Sequence, residues 1–118
     1  MKKNIIYGIN DNVSTVIQSY LKYRCKIFYV LNDESSLIGT ITQGDLLRAI
    51  AEGNLGLKTL DIMQHNSISI KSKKEIDNNL IDFLSENHID EIPIVNNNGK
   101  IIEIYSLYEM LKSKLKKW

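Results

Sequence analysis

The residues of this chain best suited to chemistry lie in one short stretch, Gly39-Thr40-Ile41-Thr42-Gln43-Gly44-Asp45. It runs from the end of an expected strand into an expected helix, which puts Thr42-x-x-Asp45 at a helix start. The plainest chemistry there is internal: a hydroxyl and a carboxylate three residues on satisfy the free N–H groups of the first turn. Ser106-x-x-Glu109 offers the same pairing further along. Two glycines go beyond capping. Gly39 on a strand leaves a bare backbone where another group can approach, and Gly44 in a first helical turn costs up to ~1 kcal/mol relative to Ala. Both would be accounted for by an anion at the helix N-terminus, where exposed N–H groups and the dipole favour phosphate. Thr42 would then donate to the phosphate, Asp45 would accept from a ribose diol, and Arg48, one turn on, would screen the charge.

Other chemistry finds little support. His65 and His88 are the only histidines, and no cysteine or acidic cluster gives them metal-ligand spacing. Each reads as an exposed or capping histidine, and no metal is expected. Cys25, the single cysteine, occupies an apolar position and reads as a buried, inert thiol. No nucleophile with a base and orienting partner stands out, so no catalytic residues are assigned. Trp118 either packs or frays.

The elements that position Gly39–Asp45 occur twice. Residues 25–47 align without a gap on residues 89–111 at an offset of 64, which brings Thr42 onto Ser106 and Asp45 onto Glu109. Upstream the apolar residues suggest an offset of 63: Ile5, Tyr7, Val13, Ile17, Tyr20 and Leu21 fall on Ile68, Ile70, Ile76, Leu80, Phe83 and Leu84. Val13, Val16, Ile17, Tyr20 and Leu21 have the spacing of a helix with one buried stripe. In the second copy Ser72 and Glu75 are expected to cap the corresponding helix. Strands Ile27–Leu31 and Leu37–Ile41 follow, joined by the polar turn Asn32–Ser36, for which Asn96–Gly99 substitutes in copy two. Short strands near Ile5–Tyr7 and Ser67–Ile70 open the copies, and second helices start after Thr42 and Ser106. The unit is β-α-β-β-α, used twice in an α/β (α+β) fold. One unit of roughly 50 residues buries too little apolar surface to stand alone, so two are expected to share a core about a pseudo-twofold axis, with clefts between them.

Composition fits this reading. Of 118 residues, 43% are apolar and 25% charged, a globular balance. No apolar run approaches the ~20 residues of a membrane span, and the N-terminus has too short an apolar stretch for a signal peptide. A net charge of +1 lacks the basic stripe of a nucleic-acid binder. Lys112, Lys114, Lys116 and Lys117 form a basic tail, which reads as a solvated helix end. A cytoplasmic location follows, with neither nucleic acid nor membrane as partner.

The duplicated unit, with GTITQGDLLRAI (39–50), the linker LDIM (60–63) and HIDEIPIVNNNGKII (88–102), resembles a tandem pair of CBS domains, the Bateman module. The resemblance runs from about Asn4 to Leu111, and segment 39–50 looks like the pairs found with sugar-phosphate nucleotidyltransferases. It implies one module over 1–118, with a CBS repeat over 4–57, a second over 58–111 and a basic tail over 112–118. It also implies an adenine nucleotide (AMP, ADP or ATP) or S-adenosylmethionine as regulatory ligand in an inter-repeat cleft, with no cofactor required. A homodimer is implied as well, with a nucleotidyltransferase or other enzyme domain as partner. Thr42 becomes the phosphate contact and Asp45 the ribose contact, with Gly39, Thr40 and Gly44 alongside and Arg48 near the phosphate. Ile27, Tyr29 and Tyr7 help to form the base pocket. In copy two Glu103, Tyr108 and Glu109 replace Gly39, Gly44 and Asp45. Ser106 and Glu109 therefore mark a degenerate second site, and one competent site per chain is expected. The reading is a nucleotide-sensing regulatory module rather than an enzyme; the alternative is a ligand-free dimerisation or assembly module.

Overall fold

Hydrophobic alternation and polar turns place five strands and five α-helices along the chain, in a computed structural model that describes residues 4–6 and 8–115. By its contacts the chain divides into two units, Met1–Ser67 and Ile68–Trp118.

In unit 1, β1 (Ile5–Ile6) runs parallel to β2 (Ile27–Leu31), which pairs antiparallel with β3 (Leu37–Thr42). Alternation along β2 turns Phe28 and Val30 toward α1 (Val13–Tyr23) and α2 (Gln43–Ala51), where they join Ile6, Val13, Val16, Ile41, Leu46 and Ala49 in a buried cluster. Asn12 caps α1 by accepting from Thr15 N–H at 3.1 Å. The chain then makes a further short helix, α3 (Thr59–Ile62), which overlaps the segment expected to be only a linker. Thr59 fastens it: the fully buried side chain lies with its hydroxyl 3.1 Å from the carbonyls of Gly8 and Ile9. Beyond α3, Gln64 forms an antiparallel bridge with Thr40 on the edge of β3.

In unit 2 the opening strand expected at Ser67–Ile70 is reduced to a parallel bridge between Ile70 and Ile94. The Ser72–Glu75 capping box forms, but on a 3-10 turn over Lys73–Glu75. Helix α4 (Asn78–Glu86) is capped instead by Asp77, which accepts from Leu80 N–H at 2.8 Å. Antiparallel β4 (Glu91–Val95) and β5 (Ile101–Ser106) and helix α5 (Leu107–Leu115) complete the unit. Ile70, Leu84, Ile92, Ile94, Tyr105 and Met110 make its core.

The repeat is stricter than the apolar pattern suggests. Ile6 pairs with Val30 as Ile70 pairs with Ile94, so the opening strands are related by 64 residues and not by 63. The first helices obey the same offset at their ends, where Arg24 and His88 both adopt positive φ. Tyr20 therefore corresponds to Leu84, and α4 simply starts one residue late. The offset of 63 arises from pairing Tyr20 with Phe83 and Leu21 with Leu84, which counts Leu21 and Phe83 as core residues. Leu21 and Phe83 are both exposed, and lone apolar residues on a surface are common. Both hairpins carry a bulge one residue from the turn, at Val30/Leu31 and Ile94/Val95.

Candidate functional site

The Thr42–Asp45 capping box forms as expected. Thr42 N–H donates to Asp45 Oδ2 at 2.8 Å, and Asp45 N–H donates to Thr42 Oγ1 at 3.3 Å. The Asp45 carboxylate is then drawn further into the chain than capping requires. It is only 4% exposed, and Oδ2 also accepts from the Thr42 hydroxyl at 3.0 Å. Oδ1 accepts from Gln64 Nε2 at 3.0 Å and from the Arg48 guanidinium. Both oxygens are thus engaged within unit 1. A ribose hydroxyl would reach this carboxylate by displacing Gln64 or Arg48 from Oδ1, and both residues are exposed enough to move.

The sheet brings several of the other named residues onto one face. Ile27 lies directly across from Thr42, and Tyr29 directly across from Thr40, so all four side chains share a side. Tyr29 and Thr40 are buried, and Ile27 and Thr42 half-buried. Gly39 is opposite Val30 and belongs to the other set. Tyr7 lies outside the described residues. Cys25 is half-buried against the unit 1 core rather than fully buried, and His65 and His88 are exposed.

The two glycines separate in meaning. A Cβ at Gly39 would lie 2.5 Å from Met63 Sδ, 2.9 Å from Met63 Cγ and 3.0 Å from Gln64 O. The group that approaches this bare backbone is the chain itself, and Gly39 is explained without a ligand. Gly39→Ala is expected to cost about 1–3 kcal/mol, since the thioether can swing away but the Gln64 carbonyl is held by its bridge to Thr40. Urea unfolding measures it. A Cβ at Gly44, in contrast, would meet only Arg48 Nη1 and Thr42 Oγ1, each at the ordinary distance of 3.7 Å. No packing in unit 1 demands that glycine.

Met63 and Gln64 are the site residues that sequence reasoning passed over. They stand 18 and 19 positions beyond Asp45 in a stretch with no periodicity, and nothing short of the fold brings them to β3.

The second copy is built differently at every substituted position. Glu109 N–H donates to Ser106 Oγ at 3.2 Å, but Glu109 is exposed where Asp45 is buried. Glu103 is ion-paired with Lys73 at 3.3 Å. Tyr108 is 70% exposed on the first turn of α5. Among the described residues no group of three or more His, Cys, Asp or Glu side chains is arranged to hold a metal ion. Nor is any of their helices long and apolar enough to cross a membrane.

The CBS domain family model matches the chain twice, over residues 1–52 and 60–116. The chain belongs to the CBS domain family. A Methanopyrus kandleri protein, MK0525, is 28% identical over 86 residues, which make up 70% of this chain and 43% of that protein. The chain thus spans under half the length of that relative. Among solved structures, the CBS domain pair of MJ0100 in complex with 5′-methylthioadenosine and S-adenosyl-L-methionine has a TM-score of 0.75. It is 19% identical, with 100% of this chain and 93% of that one covered. The cytosolic domain of the Mg2+ channel MgtE in complex with ATP has a TM-score of 0.72 at 15% identity, covering 92% of this chain and 44% of that one. At such identities the likeness is one of fold: a small mixed α/β CBS pair with two sheets flanked by helices.

Proposed function

We infer that this CBS pair is a regulatory module that senses an adenosine-containing ligand, an adenine nucleotide or S-adenosylmethionine, at the Thr42–Asp45 end of unit 1. The observation that carries the reading is Gly44, a helix-disfavouring residue beside a buried capping box, with no neighbour in the chain that needs it small. Ligands named for similar folds, 5′-methylthioadenosine with S-adenosyl-L-methionine in one and ATP in another, support the ligand class. In this reading Thr42 and the N–H groups of α2 hold phosphate or its equivalent, and Asp45 exchanges Gln64 or Arg48 for a ribose hydroxyl. Ile27, Tyr29 and Thr40 border the base, with Gly39, Arg48 and Tyr7 around them. The second copy, with Ser106 and Glu109, is degenerate. The module works in the cytoplasm as a homodimer and controls an enzyme domain, for which segment 39–50 points to a sugar-phosphate nucleotidyltransferase.

Calorimetry against AMP, ADP, ATP, S-adenosylmethionine and a nucleotide sugar tests the reading. One ligand is expected to bind at one per chain, and at 100 times its Kd to add ~2.7 kcal/mol to native stability. Gly44→Tyr copies Tyr108, which unit 2 carries at the same place in its fold. It is expected to leave folding intact and weaken binding at least tenfold. Two equivalent ligands per chain would contradict the single-site reading. No heat with any ligand would leave the assembly module, which the exposed Leu47 and Ile50 on α2 and Leu111 on α5 favour.

A further inference from the structure

Unit 2 contains a cavity of about 570 Å³ between α4 and α5, on the face of its sheet that carries Tyr105 and not Ser106. Its apolar wall is the exposed side of the unit's core: Ile76, Leu84, Ile89, Tyr105 and Met110. Its size lies within the range that holds small organic ligands.

The corresponding place in unit 1 is filled by the chain. Tyr20 stands where unit 2 has Leu84, and Gln43 Nε2, at the place of Leu107, donates to the Tyr20 hydroxyl at 3.0 Å. The segment after α2 then closes over residues 9–13: Val13 N–H donates to the Leu57 carbonyl at 2.9 Å, and Thr59 N–H to the Asp11 carbonyl at 2.7 Å. That strap ends with Met63 seated on Gly39. Unit 2 offers no such seat, because Glu103 occupies the matching position and is held by Lys73. Nothing among the described residues replaces the Tyr20 plug.

Charge decides what fits. Lys73, Lys74 and Lys114 line the cavity against a single acid, Asp90. Lys73 is engaged by Glu103 and lies over the Tyr105 ring at 4.5 Å from its centroid. Lys74 and Lys114 are exposed and have no carboxylate partner among the described residues. An apolar chamber with two available ammonium groups at its rim suits an apolar body with one anionic head.

We propose that the α4–α5 cavity of unit 2 is a binding site for a small amphipathic anion, a carboxylate or sulfonate on an apolar body. It is separate from the nucleotide reading, which concerns unit 1. The test uses the whole chain with 1-anilinonaphthalene-8-sulfonate as fluorescent probe and decanoate and decanol as competitors. Lys74→Glu with Lys114→Glu reverses the rim charge at exposed positions. Leu84→Tyr with Leu107→Gln copies the unit 1 plug. Each pair is expected to raise the probe's Kd at least fivefold, with decanoate competing at least fivefold better than decanol. Should the plug variant fail to melt cooperatively, the rim variant alone decides. The proposal is overturned by a rim effect below fivefold or by equal competition from decanol. It is also overturned by probe binding that appears only on dilution, which would make the cavity a contact between copies.

Discussion

Asp45→Ala is expected to destabilise unit 1 by about 2–4 kcal/mol, well above the ~1 kcal/mol of an ordinary N-cap. The excess comes from where the carboxylate sits. At 4% exposure it accepts from Thr42 N–H, the Thr42 hydroxyl and Gln64 as well as from Arg48. Removing it leaves the first two without their acceptor in a part-buried site. The Arg48 contact adds little, because that side chain is 64% exposed and water can take over its end of the pair, although the Asp45 end is only 3% exposed. Arg48→Ala should accordingly fall within about 0.5 kcal/mol of the parent, and Asp45→Asn should lie between the two alanine variants. Urea unfolding with an unchanged m-value measures all three. A loss near 1 kcal/mol for Asp45→Ala would mean that Gln64 and the buried position contribute nothing beyond the cap. A large loss bears on function too, since weakened nucleotide binding in this variant would be confounded with unfolding. That is why Gly44→Tyr, at a position where an added Cβ meets no crowded atom, is the cleaner probe of ligand approach.

Much of this architecture was legible because the repeat imposes it twice. The hairpin turns show how far the correspondence goes. Asn32 Oδ1 accepts from the N–H groups of Glu34 and Ser36 at 2.9 Å each, and Asn96 Oδ1 from those of Asn98 and Lys100 at 2.9 and 3.0 Å. Polar composition announced both turns, but only copy two carries the expected glycine. Gly99 has φ 78°, and Ser35 adopts φ 64° in the same place without glycine's freedom. The strands and the Thr42 box were legible for the same reason: alternation and an S/T-x-x-D/E signature are local. What was hidden depends on contacts across the sequence. Met63 explains Gly39, and Gln64 completes the Asp45 network. Neither residue carries a local pattern: Met63 ends the stretch that reads as a linker, and Gln64 follows it. The offset of 63 failed on a different point. Apolar type was taken as burial for Leu21 and Phe83, whereas the turn of each helix puts those residues outside.

Phe28→Ala is expected to cost about 3–5 kcal/mol, and Ile92→Ala, at the same place in unit 2, about 2 kcal/mol. Both side chains are fully buried, so area removed from water does not separate them beyond the larger ring. The difference lies in what happens to the void. Phe28 shares its cluster with Val13 and Val16 on α1, Val30 two residues along its own strand and Ile41 on the adjacent β3, all buried. Those elements are fixed by ladder bonds, the Asn12 cap and the α3 strap, and collapse onto the gap is limited. A closed apolar void then keeps its full cost, which rises with its volume. Ile92 belongs to a cluster whose Leu84, Tyr105 and Met110 border the open α4–α5 cavity. Space lost there can be taken up by movement of side chains that already face a gap, leaving mainly the transfer term. Chemical denaturation of the two variants should therefore differ by at least 1 kcal/mol. Equal losses would mean that the unit 2 core is packed as tightly as that of unit 1, with its cavity too shallow to relieve strain. Because a whole domain of this size is stable by only about 5–15 kcal/mol, the Phe28 loss is large enough to expose cooperativity. If unit 1 unfolds alone, urea will resolve two transitions in Phe28→Ala, and the Asp45 site will be lost in the first of them.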